Sequence, residues 1–316
     1  MAKTRYAPDR GLTARMGLTM FMLGLVFVAF ITALVYILAA VNVSSGGIIF
    51  LAVVIGLAMG IGSFFYSDKI ALSTAGAQLV SPQDGPRAAE LHGVIDRLCA
   101  LADMPKPKVA IARSPMPNAF ATGRNSKKSV VCVTTGLLDR LDRNELEGVI
   151  AHEMSHVAHR DVAVMTVASF LAIIAGLLVR FAFYGELFGG GGRGRGGNDS
   201  NGGGAIVMLA MMAVGIVVYV VSFLLIRLLS RYRELAADRA GALLTGQPSA
   251  LASALQKVTG DMARIPTKDL RAAEPLNAFY FTPALTKGSI SNVFSTHPSL
   301  ERRLRQLSEI SAQLGK

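Results

Sequence analysis

Two histidines four residues apart, with a glutamate directly after the first, give His152-Glu153-x-x-His156, the residues of this chain whose types and spacing could do chemistry. On a helix, residues four apart share a face. Both imidazoles can then hold one metal ion while Glu153 stands beside it, the arrangement of metal-assisted hydrolysis with a carboxylate as base. The surrounding sequence reads as that helix. Asp142 with Glu145 three residues on makes a capping box, and Leu146, Val149, Ile150, Met154 and Val157 form an apolar face that the polar triplet interrupts. The competing reading is a chance match of three fixed residues on a helix surface. Against it, three of the five histidines (His152, His156 and His159) fall within eight positions.

Two histidines leave a catalytic zinc short of one protein ligand. His159 is near, but a helix turns it partly away from the pair, and the extended H-E-x-x-H-x-x-G-x-x-H pattern fails at His159 and Val162. Glu234 and Asp238 form a second pair four apart. One carboxylate can bind the ion while the other accepts the far N–H of a ligand histidine. The bland alternative is a solvated charged turn among Arg231, Arg233 and Arg239.

The elements that must position these residues alternate between apolar and soluble stretches. Met16 to Val43 is 28 residues without a charge, preceded by Lys3, Arg5, Arg10 and Arg15, and is too long for the apolar region of a cleaved signal peptide. Ile48 to Tyr66 follows as a second span, so residues 1–66 read as a transmembrane hairpin. Residues 67–161 read as the first half of a soluble domain, with an amphipathic helix over Pro86 to Asp103 (Leu91, Ile95, Leu98 and Leu101 inward, His92 at the surface). Short strands follow at Pro107 to Ala112, Asn118 to Thr122 and Ser129 to Thr134. Residues 162–228 hold two more apolar spans, Val162 to Val179 and Ala205 to Ile226, joined by a flexible glycine-rich connector over 185–204. Residues 229–316 return to soluble helices, at Leu228 to Thr245, Pro248 to Met262 and Ser299 to Leu314, the last with a stripe of Leu300, Leu304, Leu307, Ile310 and Leu314.

Composition agrees with a membrane protein. Of 316 residues 52% are hydrophobic and 17% charged, and the mean hydropathy is +0.45. The formal charge of +11 is spread along the chain without interleaved aromatics, which argues for anionic lipid headgroups and against nucleic acid. Two distant cysteines, Cys99 and Cys132, exclude a disulfide framework and a cysteine zinc site.

The hairpin, A-H-E-M-S-H-V-A-H-R-D at Ala151 to Asp161, two further spans, R-x-x-E-x-A-A-D at Arg231 to Asp238 and T-H-P-S at Thr296 to Ser299 together resemble the HtpX membrane metalloproteases, in the group that includes the CAAX prenyl proteases. The match runs over nearly the whole chain. The resemblance implies a polytopic α-helical membrane protein with a cytosolic α+β gluzincin-like domain and one Zn2+ per chain, held by His152, His156 and Glu234. It implies Glu153 as general base, Asp238 behind a ligand histidine, His297 at the oxyanion, and Asn118-Ala119-Phe120 as the strand a peptide lies against. A second Asn-Ala-Phe at Asn277 to Phe279 shows how little that triplet proves, and the glycine-rich loop departs from the family in length and composition. The implied activity is hydrolysis of damaged membrane proteins at a bacterial inner membrane. The alternatives are a dedicated processing protease of the CAAX prenyl type and a non-enzymatic scaffold or transporter, whose spans would be expected to carry ionisable groups that these lack. Two arguments face the site to the cytoplasm. Two crossings separate His156 from Glu234, and the basic residues before the first span mark the inside, although Arg193 and Arg195 in the connector count against it.

Overall fold

The computed structural model describes residues 10–40, 68–123, 125–161, 201–262 and 297–315, with 54, 58, 61–62, 65–66, 164–165 and 176. Apart from those single positions, the expected spans at Ile48 to Tyr66 and Val162 to Val179 lie outside the described residues, as does the connector up to residue 200. The chain divides into two compact units, one of Met1–Met16, Phe64–Val164 and Ser230–Lys316, the other of Gly17–Ser63 and Met165–Leu229.

The first unit carries a four-stranded sheet in the order β1-β2-β4-β3, with β1 Ala77–Leu79, β2 Lys108–Ala112, β3 Ala119–Gly123 and β4 Ser129–Thr134. β2 and β4 run parallel, and the outer pairs are antiparallel. Every residue of β4 is buried, as befits an inner strand, while β3 is an edge. Asn118 ties the open end of the β3–β4 hairpin: its N–H donates to Thr134 Oγ1 at 2.9 Å, and its carbonyl accepts from Thr134 N at 2.9 Å. β1 went unread in the sequence because three residues offer no alternation to detect.

Helices cover the sheet. With α1 at Arg10–Ala40, those of this unit are α2 Pro86–Ala102, α3 Thr135–Arg140, α4 Arg143–Ala158, the C-terminal part of α5 (Asn201–Thr245), α6 Pro248–Met262 and α7 Leu300–Gln313. Leu91, Ile95 and Leu98 of α2 enter one core with Val149, Ile150 and Met154 of α4 and Leu251 and Leu255 of α6. Two expectations for α2 fail. Leu101 is exposed, Ala102 filling its place, and His92 is buried with Nε2 3.0 Å from the Val80 carbonyl, a main-chain acceptor that no spacing rule reveals. In α7, Leu307 and Ile310 are buried but Leu314 is exposed, and the stripe contains Arg303 at 1% exposure. Cys132 is fully buried, like the rest of β4.

The second unit holds the apolar parts of α1 and α5. Two described helices are long and apolar enough to cross a membrane, over Thr13–Ala33 and Met212–Thr245, and only 17% and 22% of their most apolar stretches are buried. A soluble core helix would hide most of that surface, whereas Leu18, Phe21 and Val28 stand about 61% exposed. The helix α5 is continuous from Asn201, so the last residues of the glycine-rich stretch, Asn201 to Gly204, are helical rather than connector: the apolar run behind them extends the helix backward.

Candidate metal centre

Helix α4 is fixed at its start as the sequence implied. Asp142 Oδ1 accepts from the N–H groups of Asn144 and Glu145 at 2.9 Å each, and Glu145 Oε2 accepts from Asp142 N at 3.0 Å. Glu145 also takes Ser253 Oγ at 2.6 Å and Lys257 Nζ at 2.7 Å, which locks α6 to the same turn. Three turns on, His152 and His156 meet edge to face, their ring centroids 4.9 Å apart. Helix α5 crosses here at close range. A Cβ on Gly241 would lie 2.9 Å from the His152 amide nitrogen, so glycine is what allows the two backbones to approach. Glu234 and Asp238, two turns and one turn before it, therefore reach the histidines.

The result is a cluster of His152, His156 and Glu234, the first and last buried and His156 partly so, with ligand atoms all within 4.8 Å of one another. His152 Nε2 lies 3.6 Å from Glu234 Oε2, and His156 Nε2 lies 3.5 Å from Glu234 Oε1. These separations are too long for hydrogen bonds. They suit two ligands of one tetrahedral ion, which at bond lengths of about 2.0–2.1 Å stand roughly 3.3 Å apart. The donor set of two imidazoles and a carboxylate is that of a catalytic zinc site.

Behind the cluster, His152 Nδ1 is 2.9 Å from Asp238 Oδ1. Asp238 is gripped by Arg303, Nε to Oδ2 at 2.7 Å and Nη2 to Oδ1 at 2.6 Å. His156 Nδ1 is 2.6 Å from Asp161 Oδ2, and Arg233 Nε is 3.0 Å from the same oxygen. A carboxylate only accepts, so each Nδ1 carries a proton and each Nε2 is the nitrogen that faces the cluster. Burial opposes charge on His152, but Asp238 and Glu234 outweigh it and push its pKa up to about 9.

Glu153 is buried, and its Oε2 accepts the Ala121 N–H at 3.0 Å. Burial pushes its carboxyl above the usual range, against the pull of His152 and His156. That bond also orients β3. Ala121 N points away from β4, and in an antiparallel register Ala119 and Gly123 then do the same, while Asn118 and Phe120 face β4. Of the strand residues singled out in the sequence, Ala119, itself 1% exposed, therefore turns its backbone groups to the side away from β4. Phe120 packs its ring with Ala110, Ala112 and Val130, and Asn118 is spent on the hairpin. His297 Nδ1 lies 2.9 Å from Glu234 Oε2. His159 is exposed at the end of α4 and outside the cluster.

Asp161, Arg233, Arg303 and Gly241 were not read from the sequence. Arg303 had a signal, since it occupies the helical stripe between Leu300 and Leu307 where a leucine belongs. Asp161 had none, because it is aimed at His156 through Arg160, a non-glycine residue at φ 57°.

Residues 86–311 match Peptidase family M48. The chain is 56% identical over 315 residues to Protease HtpX homolog 1 of Streptomyces coelicolor, covering 99% of this chain and 97% of that one. It is 50% identical to Protease HtpX homolog 2 of Methanosarcina mazei over 99% of both. Among solved structures, the crystal structure of S. mikatae Ste24p aligns with TM-score 0.51 at 16% identity, covering 95% of this chain and 66% of that one, a likeness of fold alone.

Proposed function

The chain belongs to peptidase family M48, with the HtpX proteases, and is a metalloprotease; from that premise we propose a zinc endopeptidase that degrades misfolded or damaged membrane proteins. Family membership removes the scaffold and transporter reading. The spacing of the His152 and His156 Nε2 atoms about the Glu234 carboxylate carries the site assignment.

A zinc ion held there supplies a water acidified toward neutrality and a Lewis acid for the scissile carbonyl. Glu153 takes the proton of the attacking water and delivers it to the leaving amine. Burial raises its pKa above that of an ordinary carboxylate, which strengthens it as a base. Asp238 fixes the His152 tautomer, and His297, steadied through Nδ1 by Glu234, serves the oxyanion. The substrate lies extended along β3 and pairs with the outward N–H and C=O groups of Ala119 and Gly123. Backbone pairing reads little of the side chains, which favours a broad quality-control role over a dedicated processing one.

The proposed setting is a bacterial inner membrane, with four spans and the site on the cytoplasmic side. The segments 1–66 and 162–228 are hairpins there, and 67–161 with 229–316 form the protease domain.

Metal analysis and casein cleavage on one detergent-purified sample test the reading. Glu153→Gln should keep its zinc and lose about 10²–10⁴-fold in rate, whereas Glu234→Ala should lose both. A Glu153→Gln enzyme that cleaves at the wild-type rate removes Glu153 as the base.

A further inference from the structure

We propose that Asp161 and Arg233 are a positioning pair for His156, so that each candidate ligand histidine has its own carboxylate and its own guanidinium. The proposal rests on the metalloprotease reading.

Asp161 is 2% exposed although it follows directly on an exposed helix end. It is buried because Arg160 takes the left-handed conformation, φ 57°, and turns the chain back against α4. Its short 2.6 Å contact with Nδ1 leaves His156 one orientation, with Nε2 toward Glu234. Asp238 gives both oxygens to Arg303 and still faces His152 Nδ1 with one of them. Asp161 instead gives Oδ2 to His156 in a 2.6 Å hydrogen bond, Arg233 Nε faces the same oxygen at 3.0 Å as an ion pair without a hydrogen bond, and Oδ1 has no hydrogen-bond partner among the described residues. Arg233 immediately precedes Glu234, so one turn of α5 brings both the third candidate ligand and the cation that pins the orienting carboxylate of the second.

The test uses the full chain in detergent, stripped of metal and reloaded with Zn2+ or Co2+. Chelator competition gives zinc affinity, and the visible bands of the cobalt form report ligand geometry. Asp161→Ala should weaken zinc binding about 10–100-fold and shift the cobalt bands. Asp161→Asn, which keeps an acceptor, should lose less. Arg233→Met should lose less again, and the Asp161→Ala/Arg233→Met double variant should bind zinc no more weakly than Asp161→Ala alone. If Asp161→Ala does not fold, Asp161→Asn and Arg233→Met are judged by the same two readouts.

Zinc affinity within twofold of wild type together with an unchanged cobalt spectrum would overturn the proposal, as would losses that simply add. A wild-type protein that takes up no zinc defeats the metal reading itself, a different result from variants that load as well as a loading wild type.

Discussion

The two histidines of the cluster are held by the same kinds of group in opposite styles. Behind His152, Asp238 is fully buried with both oxygens bonded to an Arg303 that is itself 1% exposed. Behind His156, Asp161 shares one oxygen between the imidazole and an Arg233 whose side chain is 13% exposed. The first arrangement is costly to break and draws its arginine from another part of the chain. In the second the carboxylate is local, five residues from its histidine, and the arginine, which comes from α5, has access to water. Within one site, then, the ligand orientation that depends on distant docking is the one most heavily secured.

The largest expected difference is in stability. Asp238→Ala strands the Arg303 charge in the interior and should cost the metal-free protein about 3–5 kcal/mol. Asp161→Ala releases an arginine that can rehydrate and should cost about 1 kcal/mol. Chemical denaturation in detergent measures both, and equal losses would erase the distinction drawn above.

Next is the crossing that brings α5 to His152. Gly241→Ala forces a methyl against backbone 2.9 Å away, and the resulting shift should cost about 1–3 kcal/mol and weaken metal binding. Gly93→Ala in α2, with open space around it, should instead gain up to about 1 kcal/mol from helix propensity. A neutral Gly241→Ala would mean the helices have slack.

A smaller effect follows from the His152 proton. Its pKa is raised from 6.5 to about 9 in the folded metal-free state, so the associated stabilisation is fully present below pH 6.5 and is lost as pH rises through 9. Metal must displace that proton. Apparent zinc affinity should therefore climb between pH 6.5 and 9, by up to about tenfold per unit, and level off above. Isothermal titrations at three pH values across this window would show it, and a flat response would place the proton elsewhere. The smallest change expected is in Arg160→Gly, which relieves a left-handed arginine and should raise stability by about 0.5–1 kcal/mol, with Asp161 and metal affinity undisturbed. A melting temperature below wild type would show that the Arg160 side chain matters more than its backbone.

What the sequence disclosed follows the same division. His152, Glu153 and His156 with their cap at Asp142 and Glu145 are local, and helical spacing places them without tertiary knowledge. Glu234 and Asp238 were legible as a pair for the same reason, once a third ligand was required. Arg303 was harder, because among Arg302, Arg303 and Arg305 only its place in the apolar stripe sets it apart, and the docking of α7 decides its partner. Asp161 depends on one unusual dihedral at Arg160, and Gly241 on how two helices cross, and neither leaves a pattern in residue order. The burial of His92 leaves no such trace either, because its acceptor is a backbone carbonyl, which every residue has.

The distance along the chain between His152 and Arg303 also sets an order of events during synthesis. His156 meets Asp161 as soon as the helix is made, but His152 waits about 150 residues for the guanidinium that steadies its aspartate. At roughly 5–20 residues per second, that is on the order of 8–30 s of translation. Through that interval the nascent chain carries the histidine pair without Glu234 for most of the time, and without His297 and Arg303 to the end. On the proposed ligand set, the protease would stay inert while its own apolar segments are being delivered to the bilayer, and would become dangerous to neighbouring polypeptides only after its last helix has docked.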